Sequence, residues 1–207
     1  YPPYEHQYKC WDVLLNQHTA DNKPKSIVVT TGTGSGKTEC FMMPLVHDLS
    51  LHAQPGMIQA LFLYPLNALM EDQKERLEEL LTSAEETTGT RLTYTVYNGD
   101  LPEMEPKSTD TSDDANKLRK RIEQITGGIY EFVQTDPNEK GHFELKNAKY
   151  SHMVYTRKDV RNNPPHIVLT NPTMLEYILL RGSDANLIVA GRNSLRWIAN
   201  DETHSYT

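Results

Sequence analysis

Short apolar runs alternate with longer amphipathic ones along this chain, and that rhythm predicts an α/β domain with a largely parallel sheet. Residues 26–30, 59–64, 93–97, 167–170 and 195–199 are the candidate strands. They are rich in Ile, Val, Leu and Tyr, and their near-continuous apolar character suits strands buried on both faces. Helices are expected between them. One begins near residue 37 and runs through Phe41, Leu45, Val46 and Leu49, with Pro44 inside it as a source of bending or shortening. A second starts at Asn67 and reaches about Leu81, with Leu69, Leu77, Leu80 and Leu81 at helical positions. A third is expected to start at Thr173, where Thr173 and Glu176 have the spacing of a capping box. Residues 5–16 form a further candidate helix ahead of the first strand.

Residues 101–165 break the rhythm. The stretch 101–114 carries prolines, acids, serines and threonines, and reads as a mobile loop. Ala115, Leu118, Ile122 and Ile125 then recur at helical spacing, with Lys117, Arg119, Lys120 and Arg121 on the other faces. Residues 129–133 and 142–145 flank Asp136-Pro137-Asn138 and Gly141, which predicts a β-hairpin. The whole segment reads as an insertion on the core domain.

The apolar run Ile27-Val28-Val29 leads into Gly32-Thr33-Gly34-Ser35-Gly36, which closes on Lys37-Thr38. A loop that cradles phosphate needs glycines, because its backbone approaches phosphate oxygens in conformations that a side chain obstructs. The helix that follows turns its unpaired amides and positive dipole end toward the anion. Lys37 supplies a point charge for the β and γ phosphates, and the Thr38 hydroxyl a place in a magnesium shell. The strict Gly-x-x-x-x-Gly-Lys-Ser/Thr pattern is not met, since Thr31 holds its first position, but Gly32 is adjacent. A flexible turn with a chance lysine is the plainer explanation of these residues. The strand-like run before them and the helix after them favour the phosphate loop.

At the far end, Asp201-Glu202 follows the apolar run 195–199. In open parallel sheets, ligands bind at the carboxyl ends of the strands. There Asp201 reaches a magnesium ion and Glu202 acts as general base toward a water. An Asp-Glu pair after a strand is common and by itself reads as a solvated turn. The preceding phosphate loop gives it weight. His204, taken alone, reads as a surface residue.

Composition narrows the partners. The 207 residues fit one domain with length for a sizeable core. No apolar stretch approaches the ~20 residues of a membrane span, and no signal-peptide pattern opens the chain, so no membrane partner is expected. Cys10 and Cys40 lack the paired spacing of a zinc site, which favours a reducing, cytoplasmic location. A net charge of -7 argues against a surface coated in basic residues, so any grip on nucleic acid is local.

In order along the chain, these elements resemble the first RecA-like domain of superfamily 2 DEAD/DEAH-box (DExH) helicases, most closely the large bacterial helicases of DNA repair and phage defence. Pro3-Tyr4-Glu5-His6-Gln7 is similar to the upstream glutamine motif, which implies Gln7 as reader of adenine. Thr33-Gly34-Ser35-Gly36-Lys37-Thr38-Glu39 resembles motif I, and Tyr64-Pro65-Leu66-Asn67-Ala68-Leu69 with Gln73 resembles motif Ia. Tyr97-Asn98-Gly99-Asp100 looks like the glycine motif, and Leu169-Thr170-Asn171-Pro172-Thr173-Met174-Leu175 like motif Ib. Asp201-Glu202-Thr203-His204 stands where the family has Asp-Glu-Ala-His.

The resemblance implies a RecA-like P-loop domain over residues 1–207, truncated after motif II, with the insertion at about 101–165. It implies ATP and Mg2+ as cofactors, with Thr33, Gly34, Ser35, Gly36, Lys37 and Thr38 on the nucleotide and Thr38 and Asp201 on the metal. Lys37, Asp201, Glu202 and His204 form the implied catalytic set. Pro65, Asn67, Gln73, Asn98, Gly99, Thr170, Asn171 and Thr173 line the implied strand groove, where loop amides and hydroxyls meet phosphates without reading sequence. The implied activity is an ATP-dependent helicase or translocase acting on DNA. It depends on a second RecA-like domain in the parent chain, without which hydrolysis is expected to be slight.

Three points stay open. Thr203 replaces the usual alanine, and Asn200 stands where such a strand carries an apolar residue; a buried, unpaired Asn costs ~1–3 kcal/mol. Lys117, Arg119, Lys120 and Arg121, with Arg157, Lys158 and Arg161, either extend the groove or form a solvated face, and the solvated face is the plainer expectation. RNA in place of DNA, a P-loop NTPase that ignores nucleic acid, and a non-catalytic interaction module remain as rivals.

Overall fold

A parallel sheet buried on both faces needs strands that are apolar throughout and helices on either side to cover them. The computed structural model describes residues 2–19, 25–32, 34–134 and 141–201 and meets that need. In chain order the elements are α1 (Glu5–Asn16), α2 (Lys37–His52), β1 (Ala60–Leu63), α3 (Asn67–Thr88), β2 (Tyr94–Tyr97), α4 (Asp113–Thr126), β3 (Ile129–Val133) and β4 (His142–Lys146). Then come α5 (Arg157–Asn162), β5 (Ile167–Thr170), α6 (Pro172–Leu180), a single 3-10 turn (Gly182–Asp184), α7 (Ala185–Gly191) and β6 (Trp197–Asn200).

Four strands form the sheet in the order β2-β5-β1-β6, every neighbouring pair parallel. Ala60 pairs with Ile167 on one side and Trp197 on the other, and Leu63 likewise with Thr170 and Asn200. All four strands therefore end at one edge. Alternation sorts their side chains into two cores. Ala60, Phe62, Tyr94, Val96, Ile167 and Leu169 pack with α2 and α3. Leu61, Tyr97 and Val168 face α5, α6 and α7 through Val160, Met174, Ile178 and Leu187. Leu45, Leu49, Leu77 and Leu81 are fully buried in the first core; each stabilises the fold by about 2 kcal/mol.

Strand β6 differs from the others. Trp197 and Ala199 pack on the first core, whereas Ile198 is 62% exposed and Asn200 is exposed too. The burial cost anticipated for Asn200 therefore does not arise. The candidate strand at 26–30 does not form. Ile27 and Val29 are half-buried between exposed neighbours, with Val28 90% exposed, so the alternation is present without ladder pairing. An apolar run states a demand for burial, but a strand also needs backbone partners, and the observed ladder ends at β6.

Other boundaries move in instructive ways. Helix α2 runs through Pro44 to His52 without being shortened. Helix α3 extends to Thr88, where Gly89 takes the left-handed conformation and its N–H bonds to the Glu85 carbonyl. Helix α6 starts one residue before the expected capping box. Its cap is Asn171, whose side chain accepts from the Met174 N–H, with Pro172 in the first turn.

The hairpin β3–β4 forms as an antiparallel pair. The stretch expected to be a mobile loop lacks regular structure up to Ser112 but is tied down. Leu101 and Pro102 are buried, and Arg119 donates to the carbonyls of Lys107 (3.0 Å) and Asp110 (2.5 Å). The segment after the hairpin covers the outer edge of β2: Tyr94 N–H donates to the His152 carbonyl at 3.0 Å, and Val154 N–H to the Tyr94 carbonyl at 2.8 Å. An open edge is a pairing hazard, and this one is closed from within. Among the described residues, no helix is long and apolar enough to cross a membrane.

Candidate nucleotide and strand-binding site

The carboxyl ends of the four strands bring distant loops together. Pro65 and Asn67 follow β1, Asn98 and Gly99 follow β2, Asn171 follows β5, and Asp201 follows β6. Backbone bonds lock this edge, with Tyr64 N–H donating to the Thr170 carbonyl and Asp201 N–H to the Leu63 carbonyl, each at 3.0 Å.

Two contacts aim α2 at the same edge. Asp48 accepts from Arg196 (Nε 2.8 Å, Nη2 2.7 Å) and from Trp197 Nε1 (2.6 Å), at the start of β6. Phe41 packs edge-on against Phe62, whose strand partner is Ala199, further along β6. The helix therefore runs against the strands and points its N-terminus at their carboxyl ends. The rise from Asp48 back to Lys37 is about 16 Å. The advance from Arg196 to Asp201 is also about 16 Å. Burial pushes the Asp48 carboxyl up, but the Arg196 and Trp197 donors and the His52 charge outweigh it and hold the group below the usual carboxylate range.

The loop ahead of α2 uses its glycines as expected. Gly34 (φ 75°) and Gly36 (φ 72°) are left-handed, a region that L side chains enter at a cost of about 1–2 kcal/mol. Among the described residues, no side chain caps α2 at Gly36, which leaves the amides of its first turn for an anion. Lys37 Nζ donates to the Thr31 carbonyl at 3.1 Å, and the Thr31 and Ser35 hydroxyls share a hydrogen bond of 2.6 Å. Gly32 and Gly34 have open space where a Cβ would sit. An uncapped helix start, open glycines and a lysine folded across the loop fit a polyphosphate. Thr38, in the first turn, is half-buried beside them. Thr33, Glu202, Thr203 and His204 lie outside the described residues.

Helix α1 holds this loop from the side. His6 Nε2 donates to the Ser35 carbonyl at 2.9 Å, and Gln7 Nε2 to the Gly36 carbonyl at 3.1 Å. Gln7 Oε1 accepts from the Tyr4 N–H at 2.9 Å. Gln7, the side chain expected to read adenine, is buried and engaged with the loop. The contact of His6 carries no sequence signal beyond its place next to Gln7.

The positions expected to line a strand groove divide in two. Asn67, Gly99 and Thr173 are exposed and Pro65 and Asn171 half-buried. Asn171 Nδ2 donates to Asn67 Oδ1 at 3.0 Å, joining the loops after β1 and β5. Gln73, Asn98 and Thr170 are buried and do not reach the surface. Thr170 donates to the Tyr97 carbonyl at 2.7 Å, and Asn98 Oδ1 accepts from the Asp100 N–H at 2.9 Å.

The basic residues also divide. Lys117, Lys120 and Lys158 are exposed, as a solvated face requires. Arg121 and Arg157 are not simply solvated, for both guanidinium groups bond to carbonyls of the loop after β2. Arg161 donates from Nε to the buried Asp184 at 2.8 Å, and Asp184 also accepts from the Tyr97 hydroxyl at 2.9 Å.

Comparison with known proteins identifies a family. The pattern described as DEAD/DEAH box helicase matches residues 4–150. The Druantia protein DruE of Escherichia coli (strain UMEA 4076-1) is 25% identical over 250 aligned positions, covering 97% of this chain and 13% of that protein. The uncharacterized ATP-dependent helicase YprA of Bacillus subtilis (strain 168) is 34% identical over 97 positions, covering 47% of this chain and 11% of that protein. The chain thus spans a small part of both relatives. No solved structure gives a significant match.

Proposed function

This chain belongs to the DEAD/DEAH box helicase family, and we propose that it is the first RecA-like domain of a motor that couples ATP hydrolysis to movement along DNA. The observation that carries this reading is the shared edge. The uncapped start of α2, Asp201 and the Asn67–Asn171 junction all stand at the carboxyl ends of one parallel sheet.

Bound Mg2+ supplies charge neutralisation for the terminal phosphates. In this reading Thr38 and Asp201 hold it, and the amides of Gly34, Ser35 and Gly36 with Thr33 cradle the phosphates. Lys37 exchanges the Thr31 carbonyl for a phosphate oxygen. Glu202 takes a proton from the attacking water, and His204 belongs to the same catalytic set. Asn67, Gly99, Asn171 and Thr173 meet the strand backbone, which gives binding indifferent to sequence. A second RecA-like domain of the parent chain completes the site; an arginine supplied from such a partner raises turnover ~10³–10⁵-fold in related NTPases. Residues 101–165 form an insertion within the domain.

The test is ATP turnover by the full-length protein with and without single strands. Stimulation by oligodeoxynucleotides, and competition by DNA over RNA, supports the proposal. Stimulation by RNA alone moves the assignment to an RNA motor, and turnover indifferent to both removes nucleic acid from the function.

A further inference from the structure

The loop after β2 has four consecutive carbonyls, those of Asn98, Gly99, Asp100 and Leu101, and all four are held by just two side chains. Arg157 donates from Nη2 to Asn98 O (2.8 Å) and from Nε to Leu101 O (3.1 Å). Arg121 donates from Nε to Asp100 O (2.8 Å) and from Nη2 to Gly99 O (3.2 Å), and pairs with the Asp100 carboxylate at 3.3 Å. A guanidinium is a planar fork of donors and can bridge two acceptors at once, which an ammonium cannot do with the same geometry. Resting on the strand-binding reading above, we propose that Arg121 and Arg157 are positioning residues that fix the Asn98–Gly99–Asp100 loop for a nucleic-acid backbone, so that the 101–165 segment sets strand affinity.

Both arginines are presented from anchored helices. Arg157 opens α5, where its own N–H and that of Lys158 donate to the carbonyls of Pro102 (2.8 Å) and Glu103 (2.9 Å). The same helix is pinned by Arg161 to Asp184, and the Arg157 guanidinium lies 5.0 Å from the Tyr97 ring centre. Arg121 stands on α4, whose Ile122 is fully buried. Lys74 Nζ reaches from α3 to the Ile125 carbonyl of α4 at 3.2 Å. The two forks therefore come from separate helices, α4 and α5, and close on one turn.

What they leave open is the Gly99 face. Nothing lies within 4 Å of where a Gly99 Cβ would sit, and Gly99 is exposed. With the carbonyls tied back to guanidinium groups, their negative ends do not face an incoming phosphate. The clamp also differs from a direct phosphate grip in a measurable way. A lysine replaces a direct grip by keeping its charge, but it does not replace a two-carbonyl fork.

The experiment measures binding of a fluorescein-labelled oligothymidylate by the full-length protein over a salt series, for wild type, Arg121→Lys, Arg157→Lys, Arg121→Ala and Arg157→Ala. Binding of a fluorescent ATP analogue reports that the domain remains folded. The expected result is a roughly tenfold or larger loss of strand affinity in each variant, larger for the half-buried Arg157, with nucleotide affinity unchanged. The slope of log affinity against log salt stays that of wild type. Lysine variants that bind the strand like wild type overturn the proposal, as does a slope flattened by about 0.7 per lost phosphate contact in Arg→Ala variants, since that is the mark of direct contact. A wild-type protein that binds no strand overturns the strand-binding reading and this inference together.

Discussion

Gln7 and Gly36 are joined across the glycine-rich loop: the Gln7 Nε2 donates to the Gly36 carbonyl at 3.1 Å, and a Cβ added to Gly36 would lie 2.3 Å from that nitrogen. The glycine is required by its φ of 72°, whereas the Gln7 amide, at the end of a flexible side chain, can shift to make room. Helix α1 consequently reports on the loop it holds, and a nucleotide that recruits Gln7 must release Gly36.

Gly36→Ala should destabilise the domain by about 1–2 kcal/mol, the cost of left-handed strain. In a Gln7→Ala background the loss should be about the same, because the Gln7 amide moves aside for the methyl group. Urea unfolding of the two single variants and the double variant measures this. A clearly smaller loss in the Gln7→Ala background would show that Gln7 is held rigidly against Gly36.

Lys37 bonds within the loop to Thr31 and is half-buried. Lys37→Ala is therefore expected to change stability by less than about 1 kcal/mol while abolishing nucleotide binding. Calorimetric titration with ATP and Mg2+, beside a melting curve, checks both halves. Unchanged affinity would end the phosphate-loop assignment.

Gly99→Ala makes the opposite comparison. Gly99 has no left-handed φ and open space around it, so the fold tolerates a methyl group with a stability change within about 0.5 kcal/mol. Strand binding should nevertheless fall several-fold, because the methyl occupies the approach to the backbone. A variant that binds oligonucleotide as wild type does would place the strand elsewhere.

His166 links proton binding to stability. Burial alone lowers its pKa, and its Nδ1 accepts from the Thr93 N–H at 3.0 Å, an acceptor that protonation removes. A histidine depressed in the folded state is neutral there while the unfolded chain takes up the proton. Its contribution is complete above the unfolded value of about 6.5 and is lost as pH falls from there through the folded value. Unfolding free energy should therefore decline below about pH 6.5, and His166→Gln should flatten that decline. An equal slope in both proteins would show that other groups control it.

Asp184 is fully buried and accepts from both Tyr97 and Arg161. Burial and then this carboxylate raise the Tyr97 hydroxyl above its ordinary value, so it remains a donor. Asp184→Ala leaves the Tyr97 hydroxyl without its acceptor, while Arg161 keeps Glu103, and should cost about 1–3 kcal/mol. Chemical denaturation reads the loss, and a loss under about 1 kcal/mol would mean that water replaces the carboxylate.

How much was legible in the sequence follows the range of the interactions. Strands 167–170 and 93–97, the amphipathic helices and the hairpin were readable because periodicity and capping are local. The glycines at 34 and 36 were readable for the same reason, since left-handed backbone leaves its mark on residue type. The run 26–30 was misread because apolar content reports a wish for burial and not the presence of a ladder partner. Gln73, Asn98 and Thr170 sit in motifs read as strand-facing, yet burial turned them inward, and no pattern of neighbours announces that.

The sequence by itself determined the family, the left-handed glycines ahead of α2, and the placing of an aspartate just past an apolar strand. The tertiary structure alone decided that Asp48 aims α2 along β6, that Asn67 meets Asn171, and that Arg121 and Arg157 bond to loop carbonyls. The reason is physical. Conformational preference is carried by each residue and its near neighbours, whereas the partner of a long, charged or amide side chain is chosen by whatever unpaired backbone the folded chain brings within reach.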